Sequence, residues 1–158
     1  MKTVELFCGT KSFSVASGGT HWTIGGDPKT EGAKTGLKLL RICGRIADYC
    51  EANNKLYFIE NPRARARWFM PSHTRRTAWY CRYGDKRAKP TDIWTNLGEW
   101  NPRKCFNGNT ECHHERAPRG SKTGTQGLDG ARDRGTIPED LFNELFDIIE
   151  VKRQSNWT

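Results

Sequence analysis

The sequence LYFIENP at positions 56–62 decides the fold class of this 158-residue chain. Its four leading apolar residues are mostly aromatic or β-branched, which is typical of a fully buried strand, and the acid and Asn61-Pro62 turn that follow end this strand abruptly. Ligands in open α/β sheets bind at the carboxyl ends of the strands. Glu60 is therefore predicted to be a carboxylate at a strand tip, although a solvated acid before a turn would give the same pattern.

A strand and a helix precede this stretch. Residues 4–8, VELFC, have the composition of a strand, and the apolar residues of 33–51 recur at helical spacing. Thr30 can cap the helix, with Glu31 in its first turn. The order strand, long helix, strand predicts a right-handed βαβ unit and therefore a parallel sheet.

The rest of the chain extends the same domain. Residues 77–83 and 92–96 are predicted to be two partner strands, and Pro138 opens a last helix. Between them, residues 104–130 form a long basic loop with little periodicity. The length favours a single domain covering residues 1–158.

The charge of the chain is unevenly distributed. Lys and Arg number 26 against 18 acidic residues, a net charge of +8, while hydrophobic residues make up only 35%. The basic residues form three clusters, and aromatic residues lie among the first two, which favours nucleic acid as partner over simple solubility charge. The clusters are Arg63, Arg65 and Arg67; Arg75, Arg76, Arg82, Lys86, Arg87 and Lys89; and Arg116, Arg119, Lys122, Arg132 and Arg134.

The chain has no recognisable signal peptide and no apolar run of membrane-spanning length. We therefore expect a cytoplasmic protein, in a bacterial cell or a phage-infected host.

Four segments, in this order, resemble the compact cytosine-5 DNA methyltransferase-like proteins of phages and their hosts. They are VELFCGTKS at 4–12, FIENP at 58–62, YCRYGDKRAKPTDIWTN at 80–96, and APRGSKTGTQGL at 117–128, which leads to IPEDL at 137–141. The resemblance implies an α/β fold with a small Rossmann-like S-adenosylmethionine-dependent methyltransferase sheet, curtailed here, and a basic loop insertion. It also implies double-stranded DNA as partner.

The resemblance implies three groups of site residues. Glu60 and Asn61 would hold a flipped cytosine, because a base must leave the stack before chemistry on it is possible. The S-adenosylmethionine contacts would be Phe7, Cys8, Gly9 and Thr10. The nucleic-acid contacts would be Arg63, Arg82, Tyr83, Arg87, Lys89, Arg119 and Lys122, although the usual Gln-x-Arg-x-Arg of this family is Arg87-x-Lys89-x-Thr91 here.

One departure from the family concerns the nucleophile. These enzymes add a cysteine thiolate from a Pro-Cys segment to the cytosine ring, and no Pro-Cys occurs in this chain. Thr10-Lys11-Ser12 runs directly into a stretch that normally follows that segment. Either an internal deletion or a longer native polypeptide would explain the missing Pro-Cys segment. Cys8 is interpreted as a structural thiol. An inactive methyltransferase and a non-catalytic DNA-binding protein on the remnant fold are both consistent with this sequence.

The remaining cysteines suggest a metal. Cys81, Cys105 and Cys112, with His113 or His114, can form a closed tetrahedral zinc site, and His113 is taken as the fourth ligand. Their spacing fits no standard zinc motif, so free thiols and a disulfide remain alternatives to zinc. A zinc-stabilised interaction module is a third possible function of the chain. A zinc ion would anchor the 104–130 loop to the 79–83 strand. Two further thiols, those of Cys43 and Cys50, are expected in the core.

Overall fold

The computed structural model describes residues 3–7, 21–115 and 135–155. Its strands are β1 (Thr3–Phe7), β2 (Leu56–Pro62), β3 (Arg75–Trp79) and β4 (Pro90–Thr95). Its helices are α1 (Glu31–Ala52), the single turn α2 (Ala66–Phe69) and α3 (Glu139–Ser155), and a 3₁₀ helix spans Tyr80–Tyr83. Within these ranges no helix is both long and apolar enough to cross a membrane.

The strands form one mixed sheet in the order β1-β2-β4-β3. β1 pairs with β2 in parallel, with Phe7 opposite Glu60, and α1 lies between these two strands in sequence. β4 pairs with β2 in the antiparallel direction. The predicted α/β class and the predicted parallel pairing of the first two strands are therefore confirmed.

The predicted strand 77–83 is wrong in its second half. β3 ends at Trp79, and the chain then winds into the 3₁₀ helix Tyr80–Tyr83. Tyr80, Cys81 and Tyr83 are all buried, and the Tyr80 carbonyl accepts hydrogen bonds from the backbone N–H groups of Gly84 and Asp85, which close the turn. Gly84 ends the turn at φ +88°, a backbone conformation that favours glycine.

Helix α1 begins at the predicted cap, because the Thr30 hydroxyl oxygen accepts a hydrogen bond from the Ala33 N–H at 3.3 Å. Its buried face differs from the predicted apolar stripe, since Ile42 and Tyr49 are about half exposed. Small residues at alternating spacings of three and four pack inward instead. They are Ala33, Gly36, Leu40, Cys43, Ala47 and Cys50. Cys43 and Cys50 lie in the core as expected.

Contacts divide the chain into two compact units, Met1–Arg76 with Thr91–Gly98 and Thr77–Pro90 with Glu99–Thr158. The core of the first unit joins α1 to the central strands and includes Tyr57, Ile59 and Trp94. The Trp94 indole N–H donates to the Met70 carbonyl at 3.3 Å, which satisfies the one polar group of that ring. That the chain forms one domain stays a prediction.

A buried ion pair joins β4 to the segment after β2. Asp92 lies opposite Asn61 in the β2–β4 register and its side chain is fully buried. Arg67 contacts it with both ends of the guanidinium, Nε to Oδ2 at 2.5 Å and Nη2 to Oδ1 at 2.7 Å. The hydrogen bonds to Asp92 raise the pKa of Arg67, against the opposing effect of burial. The planar fork of arginine suits this two-point contact.

The second unit is organised around Glu144 of α3. This carboxylate accepts hydrogen bonds from the Tyr83 hydroxyl at 2.8 Å and the Trp100 indole N–H at 2.9 Å. It also pairs with Arg103 at 2.9 Å. Burial raises the pKa of Tyr83, and the hydrogen bond to Glu144 adds to this rise. The carboxylate thus links α3 to the 3₁₀ helix and to the loop that carries the later cysteines.

Replacing Arg67 by Met is expected to lower the free energy of unfolding by about 3–5 kcal/mol, because Asp92 stays buried without its guanidinium partner. Urea unfolding followed by circular dichroism measures the change. The double variant Arg67→Met/Asp92→Asn should lose less free energy of unfolding than the two single variants lose together. Arg41→Met, on the exposed face of α1, is the matched control and should stay within about 0.5 kcal/mol of the wild type. Equal midpoints for Arg67→Met and Arg41→Met would contradict a stabilising role for the pair.

Candidate metal centre and strand-tip site

Three thiols and one imidazole meet in the second unit. The ligand atoms of Cys81, Cys105, Cys112 and His114 all lie within 4.8 Å of one another. The Cys105 sulfur is 3.7 Å from the His114 Nδ1. The Cys81 thiol and the His114 ring are buried, and the other two thiols are partly exposed. This cluster could hold a metal ion.

A tight turn sets the spacing of the ligands that the loop contributes. The Asn109 N–H donates to the Phe106 carbonyl at 3.2 Å, and the Cys112 N–H donates to the Asn109 carbonyl at 3.3 Å. Gly108 takes a φ of +84° within this turn. The Asn109 side-chain amide donates to the Cys105 sulfur at 3.5 Å. Such a bond stabilises negative charge on the sulfur, which a metal-binding thiolate carries.

The loop is also attached to the segment that follows the 3₁₀ helix. The Glu115 N–H donates to the Lys86 carbonyl at 2.9 Å, next to a parallel bridge between Arg87 and Glu115. Upstream, the Trp79 N–H donates to the Arg103 carbonyl at 3.3 Å. These bonds fix both ends of the loop that bears the last three ligands, so the cluster is preorganised by the backbone.

The thiols of the cluster influence one another. Burial raises the pKa of Cys81, and hydrogen bonds with Cys105 and Cys112 raise it further. Burial alone would also raise the pKa of Cys112, but hydrogen bonds from the backbone and ring of His114 and from the other two thiols lower it to about 6. The cluster thus favours a thiolate at Cys112. All five described cysteines are free thiols, so the disulfide alternative finds no support among them.

His114, and not the predicted His113, completes the cluster that could hold a metal ion. The two neighbours point to different partners: the His113 Nε2 lies 3.1 Å from the Asp85 carbonyl oxygen, outside the cluster. His113 is exposed whereas His114 is buried. Sequence alone offered no means of choosing between adjacent imidazoles, because the choice depends on how the loop meets the Asp85 backbone. Asn109 was also missed, and no motif marks it.

Glu60 and Asn61 lie near the carboxyl end of β2, and the predicted Asn61-Pro62 turn is wrong because both residues continue the strand and pair with β4. Glu60 is half-buried, and Phe7, the last residue of β1, is its neighbour in the parallel register. Asn61 is buried, and its amide donates to the Pro62 carbonyl at 2.8 Å. Its Oδ1 is buried without a hydrogen-bond partner in the described part of the chain. Cys8, Gly9 and Thr10, the other predicted cofactor contacts, lie outside the described residues.

The predicted nucleic-acid contacts divide into three groups. Arg63 and Arg82 are exposed. Arg119 and Lys122 lie outside the described residues. The third group, Tyr83, Arg87 and Lys89, is buried.

The third group makes its contacts within the second unit. The Arg87 guanidinium pairs with the Asp85 carboxylate two residues earlier. The Lys89 ammonium lies 4.5 Å from the centre of the Tyr80 ring, and the Tyr83 hydroxyl is bonded to Glu144. The three side chains are therefore not part of an exposed basic surface in this structure, and their contact with nucleic acid stays a prediction.

Comparison with protein-family models, with curated proteins and with solved structures gave no match. The resemblance to cytosine-5 methyltransferases therefore stays a prediction from the motifs themselves.

Separate alanine substitutions of the two adjacent histidines test the candidate metal centre. We expect the purified protein to carry about one equivalent of metal per chain, and His114→Ala to lose most of it, because a four-ligand site would keep only three protein donors. Metal content by plasma mass spectrometry measures this.

His113→Ala is the matched control and should retain the metal, since this ring lies outside the cluster. Equal metal content in the two variants, or metal loss only in His113→Ala, would refute this ligand set.

Proposed function

We propose that the chain is a DNA cytosine-5 methyltransferase-like protein, which receives a flipped cytosine beside Glu60 and Asn61 and uses S-adenosylmethionine. The proposal includes a small, curtailed Rossmann-like methyltransferase sheet. The observation that carries it is the parallel register of β1 and β2, in which Phe7, the last residue of β1, lies opposite Glu60, two residues before β2 ends. A predicted cofactor contact and a predicted base contact thus share one sheet edge, where α/β proteins bind ligands.

The chemistry of the strand tip supports this proposal. A carboxylic acid at Glu60 would donate to the ring nitrogen of cytosine and accept from its exocyclic amine, which makes the ring more electrophilic. The buried, unpartnered Asn61 Oδ1 is an acceptor that lacks a donor, and such atoms are uncommon unless a ligand or water completes them. When bound, S-adenosylmethionine would supply an electrophilic methyl group.

The absence of Pro-Cys favours a second candidate function. Without that dipeptide the ring lacks the thiolate that activates it. A non-catalytic DNA-binding protein on the same scaffold would keep the exposed Arg63 and Arg82 and need no methyl donor. The two candidates differ in one property, which is cofactor affinity.

Titration calorimetry separates the two candidates. The first predicts saturable binding of S-adenosylmethionine and tighter binding to a duplex whose cytosine is mispaired than to the matched duplex, since a mispaired base flips at lower cost. Glu60→Gln should reduce this preference about tenfold, because it removes charge-assisted hydrogen bonding to the flipped base.

Glu111→Gln makes the same charge change at an exposed position and should preserve the preference for the mispaired duplex. Salt-sensitive DNA binding without S-adenosylmethionine affinity would instead establish the non-catalytic protein. Absence of both kinds of binding would refute both candidates.

We further propose that the metal at the Cys81 cluster is zinc in a structural role. Tetrahedral zinc with sulfur at 2.3 Å and nitrogen at 2.0–2.1 Å separates these ligand atoms by about 3.6 Å, close to the 3.7 Å between Cys105 Sγ and His114 Nδ1. Four protein ligands leave no open position for a substrate or water. A closed Cys₃His set is typical of structural zinc.

Chelation is expected to lower the thermal midpoint of unfolding, because metal binding contributes to folding free energy. Differential scanning fluorimetry before and after dialysis against a chelator measures the shift. Added zinc should restore the midpoint, whereas magnesium, which prefers oxygen ligands, should not. An unchanged midpoint with the metal removed would exclude a structural role.

A further inference from the structure

A cavity in the first unit lies beside the single-turn helix α2. It has a volume of about 250 Å³ and is lined by Arg63, Ala64, Arg65, Arg67 and Trp68. We call it the Arg65 cavity. Its volume falls just below the range of about 300–1,000 Å³ typical of sites for whole organic ligands, so the space suits a compact group such as a phosphate.

The guanidinium of Arg65 is incompletely satisfied. Its Nε and Nη1 atoms are buried and have no hydrogen-bond partner in the described structure. Buried charged donors normally have an acceptor, because moving such a group out of water without a hydrogen-bond partner costs free energy. The Nε–H and the Nη1 hydrogens point to different sides of the guanidinium, so each of them can donate separately to an oxygen of an anion.

The cavity lining carries positive charge. Arg67 is neutralised by Asp92, but Arg63 is exposed and Arg65 lacks an acid among the ion pairs of the described residues. No carboxylate is present among the five lining residues. An anion entering the cavity therefore meets two arginine charges without a competing acid.

Two indole rings orient Arg65. Its guanidinium carbon lies 4.5 Å from the centre of the Trp68 ring and 6.0 Å from that of Trp22. Trp22 is buried and packs on Phe69 at 5.3 Å between ring centres, whereas 59% of Trp68 is exposed. Trp22 thus forms the fixed side of the arrangement, and Trp68 offers an aromatic surface to solvent beside the unsatisfied donors.

We propose that the Arg65 cavity binds a phosphate ester, with Arg65 donating to a phosphate oxygen and the adjoining sugar or base against Trp68. The chemistry is common to a phosphate of the DNA backbone and to a free nucleotide. Assignment to DNA rests on the proposed function and adds a named contact to it. Aromatic stacking next to a phosphate-binding arginine is a recurring arrangement in nucleic-acid-binding sites.

The salt dependence of DNA binding tests the proposal. The affinity of wild type and of Arg65→Gln for a duplex oligonucleotide is measured between about 50 and 200 mM salt. Loss of one phosphate contact should make the slope of log K against log salt shallower by about 0.9. Arg45→Gln removes the same charge from an exposed position on α1 and should leave the slope unchanged. Equal slopes for wild type and Arg65→Gln would overturn the assignment to DNA.

Inorganic phosphate is the second probe, and the NMR resonance of the Arg65 Nε–H reports its binding. If the wild type fails to bind DNA but phosphate shifts this resonance, the cavity takes a free phosphate ester and the proposed DNA function fails. If DNA binds with an unchanged slope and phosphate causes no shift, the function stands and the cavity proposal fails. If neither probe binds, both fail.

A second variant covers the case in which Arg65→Gln does not fold. Trp68→Ala removes a largely exposed ring and leaves the Arg65 charge in place. It should weaken binding to a single-stranded oligonucleotide about fivefold or more with little change in salt slope, because stacking of a base is lost and the phosphate contact is kept. Wild-type affinity in this variant would contradict the role given to Trp68.

Discussion

The first unit depends on the placement of one buried carboxylate. Asp92 is fully buried on β4, opposite Asn61 of β2, and Arg67 meets it through a two-point contact. Because a buried charge without a partner is strongly unfavourable, the chain after β2 must bring Arg67 back over the sheet. This requirement fixes the short α2 turn, and with it the neighbouring Arg65 and Trp68. The Arg65 cavity, which Arg67 also lines, therefore depends on this ion pair.

The second unit achieves order by different means. Its 3₁₀ helix, loop and α3 are joined by hydrogen bonds to Glu144 and by the four-ligand cluster at Cys81. Only 35% of the chain is hydrophobic, and a loop that includes residues 104–115 has few apolar side chains to bury. Polar contacts and a metal ion can supply the cross-links that a small apolar core does not.

The same residue type has opposite roles in the two units. Arg87 is buried against Asp85, two residues away, and its charge is satisfied within the fold. Arg65 is held between indole rings and keeps two donors without acceptors. The number of basic residues therefore indicates little about binding by itself. Partner geometry determines which arginines stabilise the protein and which can meet a ligand.

Sequence alone determined the features that depend on neighbouring residues. The Thr30 cap, helix α1 and the parallel pairing of β1 with β2 follow from local hydrogen bonding, apolar periodicity and the order of elements. The three cysteines of the candidate metal cluster were also identified, with free thiols and a disulfide as alternatives. Tertiary structure decided the end of β3 at Trp79 and the place of His114 rather than His113 in the cluster. It also decided that the Arg87 guanidinium has an acid partner while two Arg65 donors have no acceptor. Each of these depends on contacts between segments far apart in sequence, which local pattern cannot encode.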